Sequence, residues 1–514
     1  MNKNLTFNLI FTQAVENQRK NNLLEAKKLY NSLINIDPNH FNSLHNLGLI
    51  YSKLSEFQKA IDCLKKAIEV NPSSLISHLS MAKVLFVTRK FNDSKKSYEK
   101  ALEIDPNNVS AYVNLGVIAL NFGEYEKAKV YCEKVLIIDP NNCNAFNNLG
   151  VISGRLNEHE KSCEYYKKIL LIEPDNLDAN KNFANFHVSE LKDFNKAIST
   201  SCHSLKVQLD TTSFKDQTVS LFRLKHDVEQ AKYLSSKNYE INGIDQFQKV
   251  GDEILSRKEN KEIEKNSSKT ILLTPDEINS LLPFFKSDHI YQTKKISGSC
   301  INPNKNWLEV EDEYFNSSNQ IIYIDDFLSE EALIELREFC LASKVWTRDY
   351  LNKYLGAFSE NGFISPVHLQ IAIELKQKLP KLFGPHRLEK FWGFKYDSSM
   401  GKGINIHADF AFHNLNFWIT PDEYNNNKNS GGLKVYDTPA PDNWLFMDYN
   451  NNNDKIYTFL KDNNSNCTNV PYKFNRAVLF NSAYFHETDE IDFKDVYEGR
   501  RINNTYLFGN RVVK

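Results

Sequence analysis

Over roughly the first two hundred positions, apolar residues recur every three or four places, the spacing of one face of a helix. The pattern is interrupted at a fixed interval. Pro38, Pro72, Pro106, Pro140 and Pro174 stand 34 residues apart and end the in-phase segments NIDP, EVNP, EIDP, IIDP and LIEP. With 15 prolines in 514 positions, four further hits at prescribed places have a chance probability of roughly one in a million, so the period is real. Small residues keep the same phase: Leu47-Gly48, Met81-Ala82, Leu115-Gly116 and Leu149-Gly150 mark places where two helices cross closely. Ala26, Ala60 and Ala128 mark a second helix, with Tyr30, Leu64, Tyr98 and Tyr166 one turn on, and Ala67 and Ala101 after them. Each proline closes that second helix, because it lacks an amide hydrogen and clashes with the preceding turn.

After residue 206 the period stops. Leu221, Leu224, Val228, Ala231 and Leu234 predict one more helix. His226, Asp227 and Glu229 lie on it and read as a solvated polar face. Arg257 to Lys269, dense in Lys, Glu, Asn and Ser, reads as a linker or an exposed helix end. From about 318 the period changes to two. QIIYIDDF predicts a strand, and LSEEALIELREFCLAS a helix capped by Ser329. A second helix is predicted near Pro366 to Leu379. Then come KFWGFKYD, GINIHADF, NLNFWIT, GGLKVYDT, NRAVLFNS, YFHETD and RRINNTYLFG, separated by Gly, Asn and Asp turns. Strands at such spacing argue for a sandwich or barrel rather than a parallel sheet.

The 34-residue pattern resembles the tetratricopeptide repeat (TPR), over about residues 7 to 206, in five good units and a weaker sixth around Ala184 and Ala197. The resemblance implies a stacked α-solenoid with a concave groove that takes a protein or peptide partner. Asn114, Asn147 and Asn148 fall within first helices, where they would either bond an extended peptide backbone or sit on the surface of an asparagine-rich chain.

Composition narrows the class. Hydrophobic residues make up 41% and aromatic residues 12%, which excludes a wholly disordered chain. A net charge of -2 gives no global drive toward nucleic acid or acidic membrane. No apolar run approaches the roughly 18 residues of a membrane span, and Met1 to Lys20 lacks the features of an export signal. Eight cysteines without a CxxC pair favour reduced thiols and a cytoplasmic location. The run Asn450 to Asn453 reads as solvated loop.

The chemistry concentrates late in the chain. His407 and Asp409 are two apart on a predicted strand, so they share a face, with Ile404, Ile406 and Ala408 on the other. His486 ends an apolar strand 79 residues on, and Arg500 and Arg501 begin another. Two imidazoles and one carboxylate leave three positions open on a metal, the facial arrangement suited to non-haem iron(II).

That ordered set resembles the 2-oxoglutarate- and iron(II)-dependent dioxygenases, in particular their prolyl-4-hydroxylase-like branch, over about 320 to 514. IDDFLSEEALIEL, SGGLKVYD and NRAVLFNSAYFHET carry further likeness. The resemblance implies a double-stranded β-helix (jelly-roll) domain in which His407, Asp409 and His486 bind Fe(II). It also implies that 2-oxoglutarate and O2 are co-substrates. Arg501 would hold the distal carboxylate of 2-oxoglutarate, since a guanidinium fork matches a carboxylate in a way lysine does not. Thr505 shares its face, and Tyr396 would contact the same carboxylate. Arg500 would then point outward as a surface residue, although the choice between the two arginines stays open. Asn416 and Trp418 share a face that would line the cavity, with core packing the alternative for Trp418.

The expected organisation is therefore a TPR solenoid over 1–206, a helical connector and linker over 207–317, and an oxygenase domain over 318–514. The expected activity is hydroxylation of a protein or peptide presented by the solenoid. Two alternatives stand beside it: a small-molecule or saccharide substrate with the repeats docking a partner, and a non-catalytic scaffold with an inactive barrel. The oligomeric state stays open.

Overall fold

The computed structural model describes residues 3–211, 217–257, 270–350, 353–398, 403–442, 444 and 446–510. Its chain divides into two compact units, Met1–Ile172 and Glu173–Lys514.

The first unit is built from consecutive helix pairs: α1 (Lys3–Arg19) with α2 (Leu23–Ile36), α3 (Phe41–Lys53) with α4 (Phe57–Val70), and α5 (Leu75–Val87) with α6 (Phe91–Ile104). They continue as α7 (Val109–Asn121) with α8 (Tyr125–Ile138) and α9 (Cys143–Arg155) with α10 (His159–Ile172). The second helix of a pair closes at Asp37, Asn71, Asp105 or Asp139, one residue before the periodic proline. Two residues past the proline, Ser74, Asn108 and Asn142 accept from the backbone N–H of Ser77, Ala111 and Ala145 and so cap the next helix. Each such cap contributes about 1 kcal/mol. Part of the asparagine richness is therefore structural. Within a pair the chain reverses through a left-handed residue, Asn21, Ser55, Arg89, Gly123 or Asn157, with φ of 60° to 70°. Ala26, Ala60 and Ala128 are fully buried. Where the alanine column is interrupted, Ser94 donates to the Ala82 carbonyl (2.8 Å) and Ser162 to that of Gly150 (2.7 Å).

The small column where paired helices cross makes a contrast that can be measured. A Cβ on Gly150 would lie 2.6 Å from the Tyr166 ring, whereas one on Gly116 would lie 3.4 Å from Cys132 Sγ, with no closer neighbour. Gly→Ala in a helix gains about 1 kcal/mol from backbone entropy, and overpacking costs about 1 to 3 kcal/mol. Gly116→Ala is therefore expected to raise the urea midpoint slightly, and Gly150→Ala to lower it.

The second unit begins at Glu173. Helices α11 (Leu177–Glu190) and α12 (Phe194–Thr211), the sixth pair of the repeat pattern, belong to it. Their polar side chains are committed there. Ser201 Oγ donates to the Ser359 carbonyl (2.6 Å) and accepts from Gly362 N (2.8 Å), and Ser189 Oγ donates to the Glu389 carbonyl (3.3 Å). The expected connector also packs into this unit. Helix α13 (Leu221–Ser236) buries Leu224, Val228, Ala231 and Leu234 as its spacing predicts. It also buries His226 and Asp227, which the sequence reading placed on a solvated face. Asp227 pairs with Arg223 at 2.5 Å and accepts from His226 Nδ1 at 2.9 Å. The charges satisfy one another, which is what permits their burial. Of the expected linker Arg257 to Lys269, residues 258–269 lie outside the described residues.

Two antiparallel sheets follow. The larger contains β1 (Ile321–Ile324), β2 (Arg348–Tyr350), β3 (Tyr354–Phe358), β4 (Leu388–Tyr396), β5 (Ala411–Trp418), β6 (Ala477–Asn481) and β7 (Ile502–Asn510), in the order β1-β6-β5-β7-β4-β3-β2. The smaller sheet consists of Leu433–Pro439 flanked by Cys467–Val470 and Tyr484–Thr488. The short strands β2 and β3, and the strand Cys467–Val470, were not among the sequence candidates. One face of the large sheet packs under helices Glu330–Ala342 and Pro366–Lys378, whose Leu336, Phe339 and Leu369 meet Phe391, Leu415 and Tyr506. The other face shares a core with the small sheet through Trp418, Val478, Phe480, Leu433, Val435 and Val470.

Register decides what that inner face presents. Asn416, Thr505, Trp392 and Phe358 are successive cross-strand partners, as are Trp418, Asn503, Phe394 and Gly356. The inner face therefore runs from amide and hydroxyl groups on β5 and β7 to aromatic rings on β4 and β3. Tyr354 and Tyr396 pair at the next step along the sheet.

Candidate metal centre

The segment 403–410, read from sequence as a strand, meets Tyr484–Thr488 at one β-bridge and one further backbone bond, from Thr488 N to Ile404 O (3.1 Å). At that bridge His407 N donates to His486 O (3.0 Å) and His486 N to His407 O (2.8 Å). The imidazoles are thereby placed side by side, with ring centroids 4.3 Å apart. Asp409 is fixed one step on, where its N–H donates to the Ser482 carbonyl (3.0 Å). Ligand-capable atoms of His407, Asp409 and His486 all lie within 4.8 Å of one another, and His486 Nε2 stands 3.5 Å from Asp409 Oδ2.

Both imidazoles are oriented by backbone. His407 Nδ1 lies 2.8 Å from the Asn405 carbonyl and His486 Nδ1 lies 3.0 Å from that of Tyr484. A carbonyl only accepts, so each Nδ1 carries a proton, and in the neutral ring Nε2 is the nitrogen left with a lone pair for a metal. Burial favours the neutral forms: it pushes the Asp409 carboxyl up and holds His486 well below the usual imidazole value. Asn414 Nδ2 donates to Asp409 Oδ2 at 2.7 Å.

The two faces expected for this segment hold in part. Ile406 and Ala408 point into a separate apolar cluster, but Ile404 packs with the inter-sheet core and lines the same cavity as the triad. Without a regular ladder the period of two does not extend back that far.

Arg501 and Arg500 separate sharply. Arg501 is 1% exposed and lines the cavity that holds the triad. Its Nε donates to the Gly431 carbonyl (2.6 Å) and its Nη2 to that of Gly432 (3.4 Å), while buried Nη1 has no hydrogen-bond partner. The turn that offers these carbonyls needs glycine. Gly431 has φ +81°, and a Cβ on Gly432 would lie 1.9 Å from the Val470 carbonyl oxygen. The guanidinium sits over Tyr396 at 4.8 Å and Trp418 at 5.5 Å. Arg500, expected at the surface, is equally buried on the other side of the chain. It pairs with Glu229 (2.7 Å) and Asp397 (3.4 Å) and does not line the cavity of the triad. Those two carboxylates, one from helix α13, are what allow it inside.

The cavity is about 730 Å³. Tyr396, Asn416 and Thr505 line it, and burial raises the Tyr396 phenol against the pull of Arg501. Trp418 is fully buried in the inter-sheet core and does not line the cavity. Asn450, Asn451 and Asn453, read as solvated loop, stand along its wall. Sequence reasoning missed Asn414 and the aromatic wall of Tyr354, Phe358, Trp392 and Phe394. The NLN alternation that placed Asn416 on the inner face would have given Asn414 as well. In the first unit, Asn114 donates to the Ser110 carbonyl of its own helix (2.7 Å), and Asn148 is buried beside Cys132.

Comparison with known proteins reaches part of the chain. Tetratricopeptide repeat models match residues 41–74, 77–108, 97–130 and 144–176. No curated protein matches the chain. Among solved structures, the chain is similar to MamA from Desulfovibrio magneticus RS-1, at 19% identity over 33% of this chain and 96% of that one, TM-score 0.32. It is also similar to a tetratricopeptide repeat protein from Parabacteroides merdae, at 13% identity over 48% and 99%, TM-score 0.36. A third is YrrB, described as a TPR protein with an unusual peptide-binding site, at 18% identity over 35% and 93%, TM-score 0.30. The chain thus carries an N-terminal TPR helical solenoid followed by a β-rich region. TPR repeats generally mediate binding of proteins or peptides. Among the described residues, no helix is long and apolar enough to cross a membrane.

Proposed function

We propose that the β-rich unit is a double-stranded β-helix oxygenase dependent on iron(II) and 2-oxoglutarate, and that it hydroxylates a protein or peptide recruited by the TPR solenoid. The observation that carries the reading is one cavity lined by both the His407, Asp409 and His486 cluster and a buried arginine with an unpartnered Nη1.

The residues fit the groups implied. Two imidazoles whose Nδ1 is tied to a backbone carbonyl, leaving Nε2 as the ligand atom, and one carboxylate make a nitrogen and oxygen donor set that suits iron(II) and leaves positions for a co-substrate. The orphaned N–H of Arg501 supplies a cation where a distal carboxylate would lie, and Tyr396 and Thr505 line the same cavity. Bound there, iron(II) with 2-oxoglutarate and O2 would supply the oxidising power to hydroxylate a C–H bond, 2-oxoglutarate leaving as succinate and CO2.

The chain contributes binding, orientation and exclusion of water. Asn405 and Tyr484 carbonyls fix the imidazole tautomers. Gly431 and Gly432 carbonyls aim the Arg501 fork. The half-buried rings of Phe358, Trp392 and Phe394 offer an apolar wall against which a substrate side chain packs. The TPR solenoid supports a macromolecular substrate, because it adds a docking surface that a small-molecule enzyme does not need.

The test is anaerobic loading of the full-length protein with iron(II), followed by 2-oxoglutarate, then air. A visible charge-transfer absorption on adding 2-oxoglutarate and succinate on adding air, both missing in His407→Ala, are expected. Wild type matching His407→Ala in both readouts sinks the oxygenase reading and leaves the TPR repeats as a docking protein.

A further inference from the structure

We propose that Asn414 is a positioning residue for the metal: its side-chain amide holds the Asp409 carboxylate where His407, Asp409 and His486 share one ion. The proposal rests on the metal-site reading above.

The amide is the end of a directional chain. Asn414 Nδ2 donates to Asp409 Oδ2 at 2.7 Å, the same oxygen that stands 3.5 Å from His486 Nε2. Asn414 Oδ1 accepts from Asn416 Nδ2 at 2.5 Å. Asn416 Oδ1 accepts from Thr505 Oγ1 (2.5 Å) and from Asn503 Nδ2 (3.0 Å), and Asn503 Nδ2 also reaches Thr505 Oγ1 (3.0 Å). All four side chains are buried, between 0% and 6% exposed.

This order of donors fixes which way each amide points. Two donors converge on Asn416 Oδ1, so its nitrogen must face Asn414. Asn414 then turns its oxygen toward Asn416 and its nitrogen toward Asp409. Flipping either amide would set oxygen against oxygen and nitrogen against nitrogen among side chains almost wholly buried along the cavity wall, which costs about 1 to 3 kcal/mol per buried group. Asp409 lies on a segment without a regular ladder, so its backbone alone leaves the carboxylate to rotate. The amide chain ties that rotation to β5 and β7, two central strands of the large sheet. Partners that orient a metal ligand typically change metal affinity by about 10- to 100-fold when removed.

A buried asparagine that only satisfies the core would matter for stability and not for coordination, and the experiment separates the two. Mn(II) is titrated into metal-free full-length protein and the unbound ion is read by electron paramagnetic resonance. Co(II) is bound in parallel for its visible spectrum, and metal-free melting is recorded for each variant. Asn414→Ala is expected to weaken Mn(II) by about tenfold or more and to change the Co(II) spectrum of the protein that still binds. Mn(II) affinity and Co(II) spectrum matching wild type would overturn the proposal. Should Asn414→Ala not fold, Thr505→Val decides. It removes a donor from the far end of the chain, and Mn(II) weakened about threefold or more supports the proposal, while unchanged affinity overturns it. If wild type binds Mn(II) no better than His407→Ala, the metal centre itself is refuted, a result distinct from an inert Asn414.

Discussion

An Asp409→Ala protein is expected to bind Mn(II) at least about 100-fold more weakly than wild type and to form succinate only at background. A direct ligand should exceed the 10- to 100-fold range known for groups that merely orient one. The metal-free fold should barely register the change, because two effects oppose. Burial pushes the Asp409 carboxyl up, so in the folded chain the ionised form is disfavoured relative to water, and removing it relieves that penalty at neutral pH. Against this, Asn414 Nδ2 loses its acceptor. The separation appears in melting curves with and without metal. Wild type at 100 times its dissociation constant should gain about 2.7 kcal/mol, and Asp409→Ala essentially none. A variant that keeps metal-dependent stabilisation would place the ion elsewhere.

The second large effect concerns Arg501. Arg501→Lys is expected to raise the 2-oxoglutarate concentration needed for half-maximal binding by at least about 30-fold, while Mn(II) binding stays within about threefold. The guanidinium is aimed by two glycine carbonyls and leaves Nη1 for a ligand. An ammonium cannot make both backbone bonds and still present a fork. Arg500→Lys is the matched control. Arg500 pairs with Glu229 and Asp397 outside the cavity, so its loss should appear in the denaturation midpoint and not in 2-oxoglutarate affinity. Equal 2-oxoglutarate affinities in the two variants would remove Arg501 from the site.

Much of the solenoid was legible in the chain because its code is local. In the repeats a proline follows the end of one helix and a Ser or Asn two places on caps the next, both effects of chain neighbours, so a period of 34 survives without knowledge of contacts. What escaped was information carried by conformation rather than residue type. The left-handed turn recurs at Asn21, Ser55, Arg89, Gly123 and Asn157, five positions with four residue types. Ser94 and Ser162 replace the expected alanine by bonding a carbonyl of the facing helix.

In the β-rich unit, alternation alone located most strands, put Thr505 on the face of Arg501 and put Asn416 on the face of Trp418; the register of the sheet then brought the two strands' residues together. Alternation also nominated His407, Asp409 and His486, although not their meeting, which a backbone bridge between segments 79 residues apart produces. Three assignments needed the tertiary structure. Arg500 went inside because helix α13, read as a connector, brings Glu229 to it. Asp227 is buried because Arg223 neutralises it, and His226, held neutral by burial, hydrogen-bonds the same carboxylate. Asn414 became the partner of Asp409, five residues before it, where the chain passes from the bridged segment into β5. A sequence fixes turns, caps and the face on which a side chain falls, since these depend on neighbours along the chain. Whether a charge is buried, and which ligand it meets, depends on partners that only folding brings within hydrogen-bond distance.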